Sequence, residues 1–440
     1  MHRRLRIAVW HNLPSGGGKR ALHDHVRGLV ARGHELEAWC PATADTTYLP
    51  LAGMIPEHVV PCELPRVPRR GRWGWTTEPY RQALAEAREI DRAAEKAAEE
   101  IRRGGFDLLF AGTCLSQFAP SIGRFVDLPS VLYLQEPNRD LYEARFPSED
   151  GRRPCWLAVP NPPKNRRIDL AIAMAVYDYN RLRAFRHRGL VERANAKAFD
   201  TILVNSLFSR ESVARSYDLE ARICYLGIDT AAFRPLGTPK ERFIIGLGGL
   251  HPAKRPDIAI RAIGTIEPTR RPPLFWIGNI AKSQFVDELT ALASSLGVDF
   301  RPRVGVAHEE LVDLLGRASA MVYAPRLEPF GYAPLEANAC GTPVVAVAEG
   351  GIRESLRDGV NGTLLLDPDP EPMGKALLSY ADDLERSSRD GALARRDVEQ
   401  RWSLDAAIDR LEAELLRIVS RGGSKASSAE AASGTTATRD

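Results

Sequence analysis

Short apolar runs alternate with helical patterns from one end of the chain to near the other, and this alternation limits the possible folds more than any other feature. Runs this continuous suit strands covered on both faces by helices, the βαβ arrangement of parallel sheets. The first series opens with "RIAVWHNL", a helix from about Lys19 to Arg32, and "HELEAWCP". A Pro- and Arg-rich segment and the charged helix "QALAEAREIDRAAEKAAEEIRR" lead to "FDLLFAG", "SVLYLQEP" and, after a second helical stretch, "DTILVNSLFS". The rhythm pauses at "YLGIDTAAFRPLGTPKER", whose Gly, Pro and polar residues suit a linker. A second series then runs through "FIIGLGGL", "PLFWIGNI", "VDFRPRV", "AMVYAP", "TPVVAVA" and "GTLLL".

A chain of 440 residues exceeds one ordinary hydrophobic core. The expected organisation is a first αβ domain over 1–235 and a second over 236–400. An amphipathic helix over 401–420 packs back on the first, and a small, polar, disordered tail fills 421–440. Sixty basic against 57 acidic side chains leave a formal charge of only +3, so nothing global points to nucleic acid. The six cysteines (Cys40, Cys62, Cys114, Cys155, Cys224, Cys340) form no CxxC pair and read as reduced, buried thiols of a cytoplasmic protein. The basic start has too short an apolar run for a signal peptide, and no window is apolar enough to span a membrane.

In "SGGGKRA" the glycines Gly16, Gly17 and Gly18 invite a dinucleotide reading, G-x-G-x-x-A. That fingerprint wants its first glycine directly after the strand and an acidic residue closing the next strand, whereas the second strand here ends in Cys40 and Pro41. A cradle of backbone N–H groups at a helix start, suited to a phosphate or a closely approaching sugar, fits better than a nicotinamide site; a loop without a ligand is the plain alternative. His23, Asp24 and His25 suggest a metal, but residues two apart on a helix point to different faces, and the two histidines read as ordinary surface residues.

The stretch "LEPFGYAPLEANACGTPVVAVAEGG", Leu327 to Gly351, sets Glu328 and Glu336 around a Pro-Gly turn. With Pro334 as the first residue of the helix, Glu336 falls in its first turn, where a carboxylate complements the helix dipole. The N–H groups of Phe330, Gly331 and Tyr332 in the turn suit a diphosphate or a sugar, and a carboxylate can accept from both hydroxyls of a ribose.

"EPFGYAPLEANACGTPVVAVAEGGIRE" and "DGVNGTLLLDP", in that order, with "GIDTAAFRP" and "GGLHPAKRPDIAI" before them, resemble the retaining glycosyltransferases of family 4, the glycosyl transferases group 1. The similarity is dense over about Leu226 to Pro368 and thinner in the first half. It implies a GT-B fold, two Rossmann-like doubly wound parallel-sheet domains facing a central cleft. The implied activity moves a sugar from a nucleoside-diphosphate sugar, UDP or GDP being the expected carriers, to an acceptor hydroxyl with retention and without a metal or other cofactor. Residue by residue it implies that Glu336 holds the donor ribose, Glu328 meets the transferred sugar, and the backbone at Phe330, Gly331 and Tyr332 holds sugar hydroxyls. Lys254 neutralises the diphosphate, which Gly16, Gly17 and Gly18 face from the other domain.

Two positions depart from the family pattern. Gly249 stands where an arginine usually precedes the leucine, so Arg255 or Arg210 is a candidate replacement cation. Gln135 stands where a histidine often ends the strand near the reaction centre; it can hydrogen-bond a sugar but cannot carry a proton. Glu136 beside it is given no catalytic role.

The acceptor is not legible beyond its class: a glycan, a lipid-linked or a small molecule, with peripheral contact at the inner membrane face as an added partner. "RVPRRGRWGWTTEPYR" mixes arginines with aromatics as an interface would, yet reads better as a packed loop. "ARFPSEDGRRPCWLAVPNPPKNRR" is an acceptor-side lid or a plain insertion. A catalytically weak nucleotide-sugar-binding protein and, further off, an NAD-dependent oxidoreductase are the competing classes.

Overall fold

The computed structural model describes residues 3–69, 71–142, 168–279 and 283–433, with side chains of 168 and 422–433 left aside. The segment 144–167, the lid or insertion of the sequence reading, lies outside the described residues, as does Cys155. The chain forms two compact units, one of Met1–Asn205, Ser209–Cys224 and Arg410–Asp440, the other of Ser206–Phe208 and Tyr225–Asp409.

The first unit holds seven strands: β1 (Arg6–Asn12), β2 (Glu35–Pro41), β3 (Glu57–Val60), β4 (Leu108–Cys114), β5 (Ser130–Tyr133), β6 (Thr201–Val204) and β7 (Arg222–Ile223). They lie in the order β3-β2-β1-β4-β5-β6-β7, every pair parallel. Its helices are α1 (Gly17–Ala31), α2 (Glu78–Arg103), α3 (Arg139–Tyr142), α4 (Ile168–Lys197) and most of α5 (Leu207–Tyr217). Pro79 near the start of α2, Glu78 in its first turn and Arg102 and Arg103 in its last suit the helix dipole, while Ala94, Ala97, Ala98 and Ile101 are buried. The sequence reading missed β3, a four-residue edge strand bounded by Pro56 and Pro61.

The second unit repeats the plan with β8 (Glu241–Leu247), β9 (Leu274–Gly278), β10 (Phe300–Val304), β11 (Ala318–Tyr323), β12 (Val344–Val347) and β13 (Gly362–Leu365). Their order is β10-β9-β8-β11-β12-β13, again all parallel. Helices α6 (Pro256–Gly264), α7 (Ser283–Ser295), α8 (His308–Arg317), α9 (Tyr332–Ala339), α10 (Ile352–Ser355), α11 (Pro370–Ala381) and α12 (Leu384–Arg401) follow the strands. Each sheet has its own core, around Leu109, Leu132 and Val204 in the first and Ile244, Val322 and Val345 in the second.

The main part of the second unit begins at Tyr225, eleven residues ahead of the expected start at 236. Ile228 explains this: its N–H donates to Trp402 O at 2.8 Å and its carbonyl accepts from Leu404 N–H at 2.9 Å, fixing that stretch to the second unit's own chain. The last helix, α13 (Leu404–Ser433), runs past residue 420 into what the sequence suggested was a disordered tail. Ala, Lys and Glu in "SKASSAEAA" propagate a helix already nucleated by packed turns. From Arg410 onward it counts with the first unit, where Glu412 accepts from Arg32 at 2.7 Å and from His34 Nε2 at 3.1 Å. Leu5 N–H donates to His34 Nδ1 at 3.1 Å, so the ring proton sits on Nε2.

Candidate active site

Both sheets reverse strand order at one point, between β1 and β4 and between β8 and β11. In doubly wound sheets the loops leaving the carboxyl ends of those strands form the ligand crevice. Gly16 to Gly18 follow β1, Lys254 and Arg255 follow β8, and Glu328 to Gly331 follow β11, while Tyr332 and Glu336 lie in α9 and Gln135 follows β5.

In the second unit, the loop after β8 carries Lys254 and the loop after β11 carries Glu328. Their side chains meet across the switch point, Lys254 Nζ to Glu328 Oε2 at 2.6 Å. Gly248 leaves room for the lysine stem, since a Cβ there would lie 3.3 Å from Lys254 Cγ. Tyr323, the last residue of β11, is buried and hydrogen-bonded to Glu328. Burial first, then the fields of Glu328 and Glu336, push its hydroxyl well above the usual phenol range, so it remains a donor. Sequence reasoning passed over this tyrosine because it reads as an ordinary strand residue.

The turn between β11 and α9 is held from behind. Leu327, at φ 51°, donates its N–H to Glu349 Oε2 at 3.1 Å, and Arg255 donates to Glu349 Oε1 at 3.0 Å. Arg255, the expected replacement for the arginine absent at Gly249, thus has a carboxylate partner that pins the loop. Gly351 N–H donates to Glu328 O at 2.8 Å. Gly331 takes φ 88°, ψ 82°, and a Cβ there would sit 2.3 Å from Ile352 Cδ1, so both backbone and space demand glycine. Phe330 contributes backbone only, because its ring is buried against Trp402 at 5.7 Å and Tyr332 at 5.6 Å.

The left-handed Gly331 starts α9 at Tyr332, so Pro334 is the third helical residue, not the first, and Glu336 is the fifth. Proline is tolerated there because the first N–H groups of a helix lack intrahelical partners. Glu336 lies beyond the first turn, contrary to the sequence reading, and capping does not explain its burial at 5% exposure.

In the first unit, Gly16 caps α1 and Gly17 is its first residue. A Cβ on Gly18 would lie 3.2 Å from Leu13 Cδ2 and 3.4 Å from Gln135 Nε2, so the glycine loop and Gln135 are neighbours. Gln135 is fixed through its main chain, its N–H donating to Thr113 Oγ1 at 3.2 Å and its carbonyl accepting from Ser209 Oγ at 2.6 Å. Glu136 pairs with Arg139 at 2.5 Å, which accounts for it without catalysis.

Behind the loop lies a charged cluster that the sequence did not suggest. Lys19 is fully buried and its Nζ has no hydrogen-bond partner among the described residues; burial pulls its pKa down against the fields of Glu57, Cys40 and Asp45. His11 Nε2 lies 3.0 Å from Glu57 Oε1, and Cys40, its thiol pushed up by burial to about 12, completes a group whose ligand atoms all lie within 4.8 Å. The set has the residue types of a metal site, but the Lys19 ammonium beside it opposes a cation. His25, expected at the surface, is buried edge-on against Tyr133 at 4.8 Å, and desolvation lowers its pKa to about 4. Five described cysteines, Cys40, Cys62, Cys114, Cys224 and Cys340, are free and buried.

Comparison with known proteins agrees with the two-sheet architecture. Residues 229–396 match the family model described as Glycosyl transferases group 1. The chain is 32% identical over 227 residues to a D-inositol 3-phosphate glycosyltransferase of Streptomyces avermitilis, covering 46% of this chain and 48% of that protein. It is 31% identical over 244 residues to D-inositol 3-phosphate glycosyltransferase 1 of Catenulispora acidiphila, covering 50% and 58%. The chain thus spans about half the length of the curated relatives it matches. Among solved structures, Anabaena HepE in complex with UDP and glucose superposes with a TM-score of 0.64 at 18% identity, over 94% of this chain and 100% of that one. Sucrose-phosphate synthase of Thermosynechococcus elongatus gives 0.67 at 16% identity, over 94% and 98%. Residues 229–396 therefore match the glycosyl transferases group 1 model, within a chain whose two parallel-sheet units have the GT-B fold.

Proposed function

We propose that the chain is a glycosyltransferase that moves a sugar from a nucleoside-diphosphate sugar to an acceptor hydroxyl with retention of configuration. The observation that carries this reading is the Lys254–Glu328 pair at 2.6 Å across the switch point of the second sheet, close to the buried Glu336, inside the segment that matches the family. The HepE complex with UDP-glucose, at the level of fold, supports UDP as the first carrier to test.

In this reading Glu336 accepts from the ribose hydroxyls. Lys254 trades its carboxylate partner for the donor diphosphate, and Glu328, so released and still oriented by Tyr323, accepts from the transferred sugar. Arg255 holds the loop through Glu349 and adds positive field. The backbone of Phe330, Gly331 and Tyr332 receives sugar hydroxyls. Gly16, Gly17 and Gly18 offer backbone N–H groups to the diphosphate, and Gln135 a neutral amide to the sugar. The bond from the anomeric carbon to the phosphate oxygen breaks while the acceptor oxygen bonds on the same face. The acceptor proton passes to the departing phosphate oxygen, and the nucleoside diphosphate leaves. Fixed cations and N–H dipoles at that leaving group lower the barrier. No step is assigned to a metal or other cofactor.

The relatives named for D-inositol 3-phosphate make a phosphorylated polyol the first acceptor to try, ahead of glycans and lipid-linked sugars. A cytoplasmic location fits the five free thiols. The test is turnover of UDP-glucose and GDP-mannose with such acceptors, read as released nucleoside diphosphate, with the product anomer assigned by NMR. Release with retention supports the reading; inversion removes the retaining step, and binding without release in any donor–acceptor pair leaves a nucleotide-sugar-binding protein.

A further inference from the structure

Helix α4 (Ile168–Lys197) presents an apolar face to the exterior. At 100° per residue, Ile172, Val176, Tyr179, Arg183, Arg186 and Leu190 fall on one stripe. Its apolar members are 61%, 39%, 61% and 57% exposed for Ile172, Val176, Tyr179 and Leu190, while Ala173, Asn180 and Ala184 on the other side are buried. Single exposed apolar residues are ordinary on a protein surface, but a stripe along one helix is not.

The aromatic loop ahead of α2 packs beside this helix. Trp75 lies 5.5 Å from Tyr177, Trp73 lies 6.5 Å from Trp75 and is 38% exposed, and Arg183 stacks 3.9 Å above Tyr80. Cations outnumber carboxylates around the stripe. From Asp169 to Val191 the helix carries Arg181, Arg183, Arg186 and Arg188 against Asp169, which pairs with Arg72 at 3.7 Å, and Asp178, about 120° from the centre of the stripe, while Arg188 pairs with Glu86 at 3.0 Å. A chain of formal charge +3 has concentrated cations here, next to exposed Ile, Val, Leu, Tyr and Trp.

We propose that this face of α4, together with Trp73, docks on an anionic lipid surface, with the helix lying in the interfacial plane. Long arginines reach acidic headgroups while their stems and the apolar side chains enter the boundary layer, and indole and phenol rings suit that depth. None of the described helices is long and apolar enough to cross a membrane, so the contact is peripheral. The inference needs no glycosyl transfer and stands or falls apart from it.

The test is sedimentation of the full chain with vesicles of phosphatidylcholine alone and of phosphatidylcholine with phosphatidylglycerol. Binding is expected to the acidic vesicles only and to weaken with salt. The pairs Ile172→Ser with Tyr179→Ser and Arg183→Glu with Arg186→Glu are each expected to weaken it at least about tenfold with nucleotide binding unchanged, the arginine pair also lowering the thermal midpoint through loss of the Arg183–Tyr80 stack. Should either pair fail to fold, the single Ile172→Ser and Arg186→Glu variants replace it, with a smaller drop expected. No binding to acidic vesicles, or equal binding by folded variants, overturns the proposal. So does a wild-type dimer in light scattering that Ile172→Ser with Tyr179→Ser converts to monomer, which would assign the face to a second copy of the chain.

Discussion

The two units share a strand order and a switch point but equip them differently. The second places an ion pair at the crevice, Lys254 with Glu328 at 2.6 Å, and braces the loop behind it with Arg255 and Glu349. The first places neutral groups at its loop, three glycines and the Gln135 amide, and keeps its charges behind them as Lys19 and Glu57, the latter hydrogen-bonded to His11, whose pKa burial lowers. In the proposed reading, one fold would serve two tasks: a fixed electrostatic site for an anionic ligand, and a close-fitting backbone surface with little charge of its own.

The sharpest way to break this contrast is to remove one polar side chain at a time on each side. Lys254→Ala and Glu336→Ala are expected to lower kcat/KM for transfer by roughly 10²–10³-fold, as loss of groups aimed at the leaving phosphate or the donor does. Gln135→Ala, which removes one neutral hydrogen bond, is expected to cost no more than about tenfold. Equal losses in steady-state kinetics would erase the distinction.

Acid is expected to act through the first unit. His25 has a folded pKa of about 4 against an ordinary 6.5, so on acidification the unfolded chain takes up its proton first. The stability due to the neutral ring is full above about pH 6.5 and is lost toward pH 4, a change of roughly 3 kcal/mol. Denaturant titrations at both pH values should show it, and His25→Phe should remove that part of the pH dependence.

Glycines separate the units further. Gly331→Ala forces φ 88° on a side chain and a Cβ against Ile352, and is expected to cost roughly 2 kcal/mol or more in chemical denaturation. Gly18→Ala meets only side-chain atoms at 3.2 and 3.4 Å and gains helix propensity, so its stability should stay within about 1 kcal/mol of wild type while it fills the approach to the backbone. The smallest effect is expected for Lys19→Met. Replacing a buried ammonium without a hydrogen-bond partner should leave the stability in chemical denaturation unchanged or raise it, by about 1 kcal/mol at most. A clear loss would mean that Lys19 is needed to balance Glu57.

How much of this was legible in the sequence follows from where the contacts come from. Strands β8 to β13 and the turn at Glu328 were readable because the elements are consecutive and the turn chemistry lies within one short stretch. The start of α9 was misplaced because Pro334 is a strong helix-start signal, while the left-handed Gly331 that begins the helix three residues earlier leaves no pattern beyond a glycine. Strand β3 has four residues, too few to show a period. The pairing of Arg255 with Glu349, the approach of Gly18 to Gln135 and the cluster of Lys19, His11, Cys40 and Glu57 all join residues far apart in the chain. No local pattern encodes such meetings. His25 was misread for a related reason: a histidine between Asp24 and Val26 gives no sign that Tyr133 and Phe110, far along the chain, cover it.

The measurement that bears most directly on the central claim is calorimetric titration of the wild type, Glu336→Ala and Lys254→Ala with UDP, GDP, ADP and dTDP. The account predicts that one nucleotide binds the wild type selectively and that both variants lose most of that affinity while keeping the wild-type melting temperature. Unchanged nucleotide affinity in both variants would contradict the placement of the donor at the switch point of the second sheet.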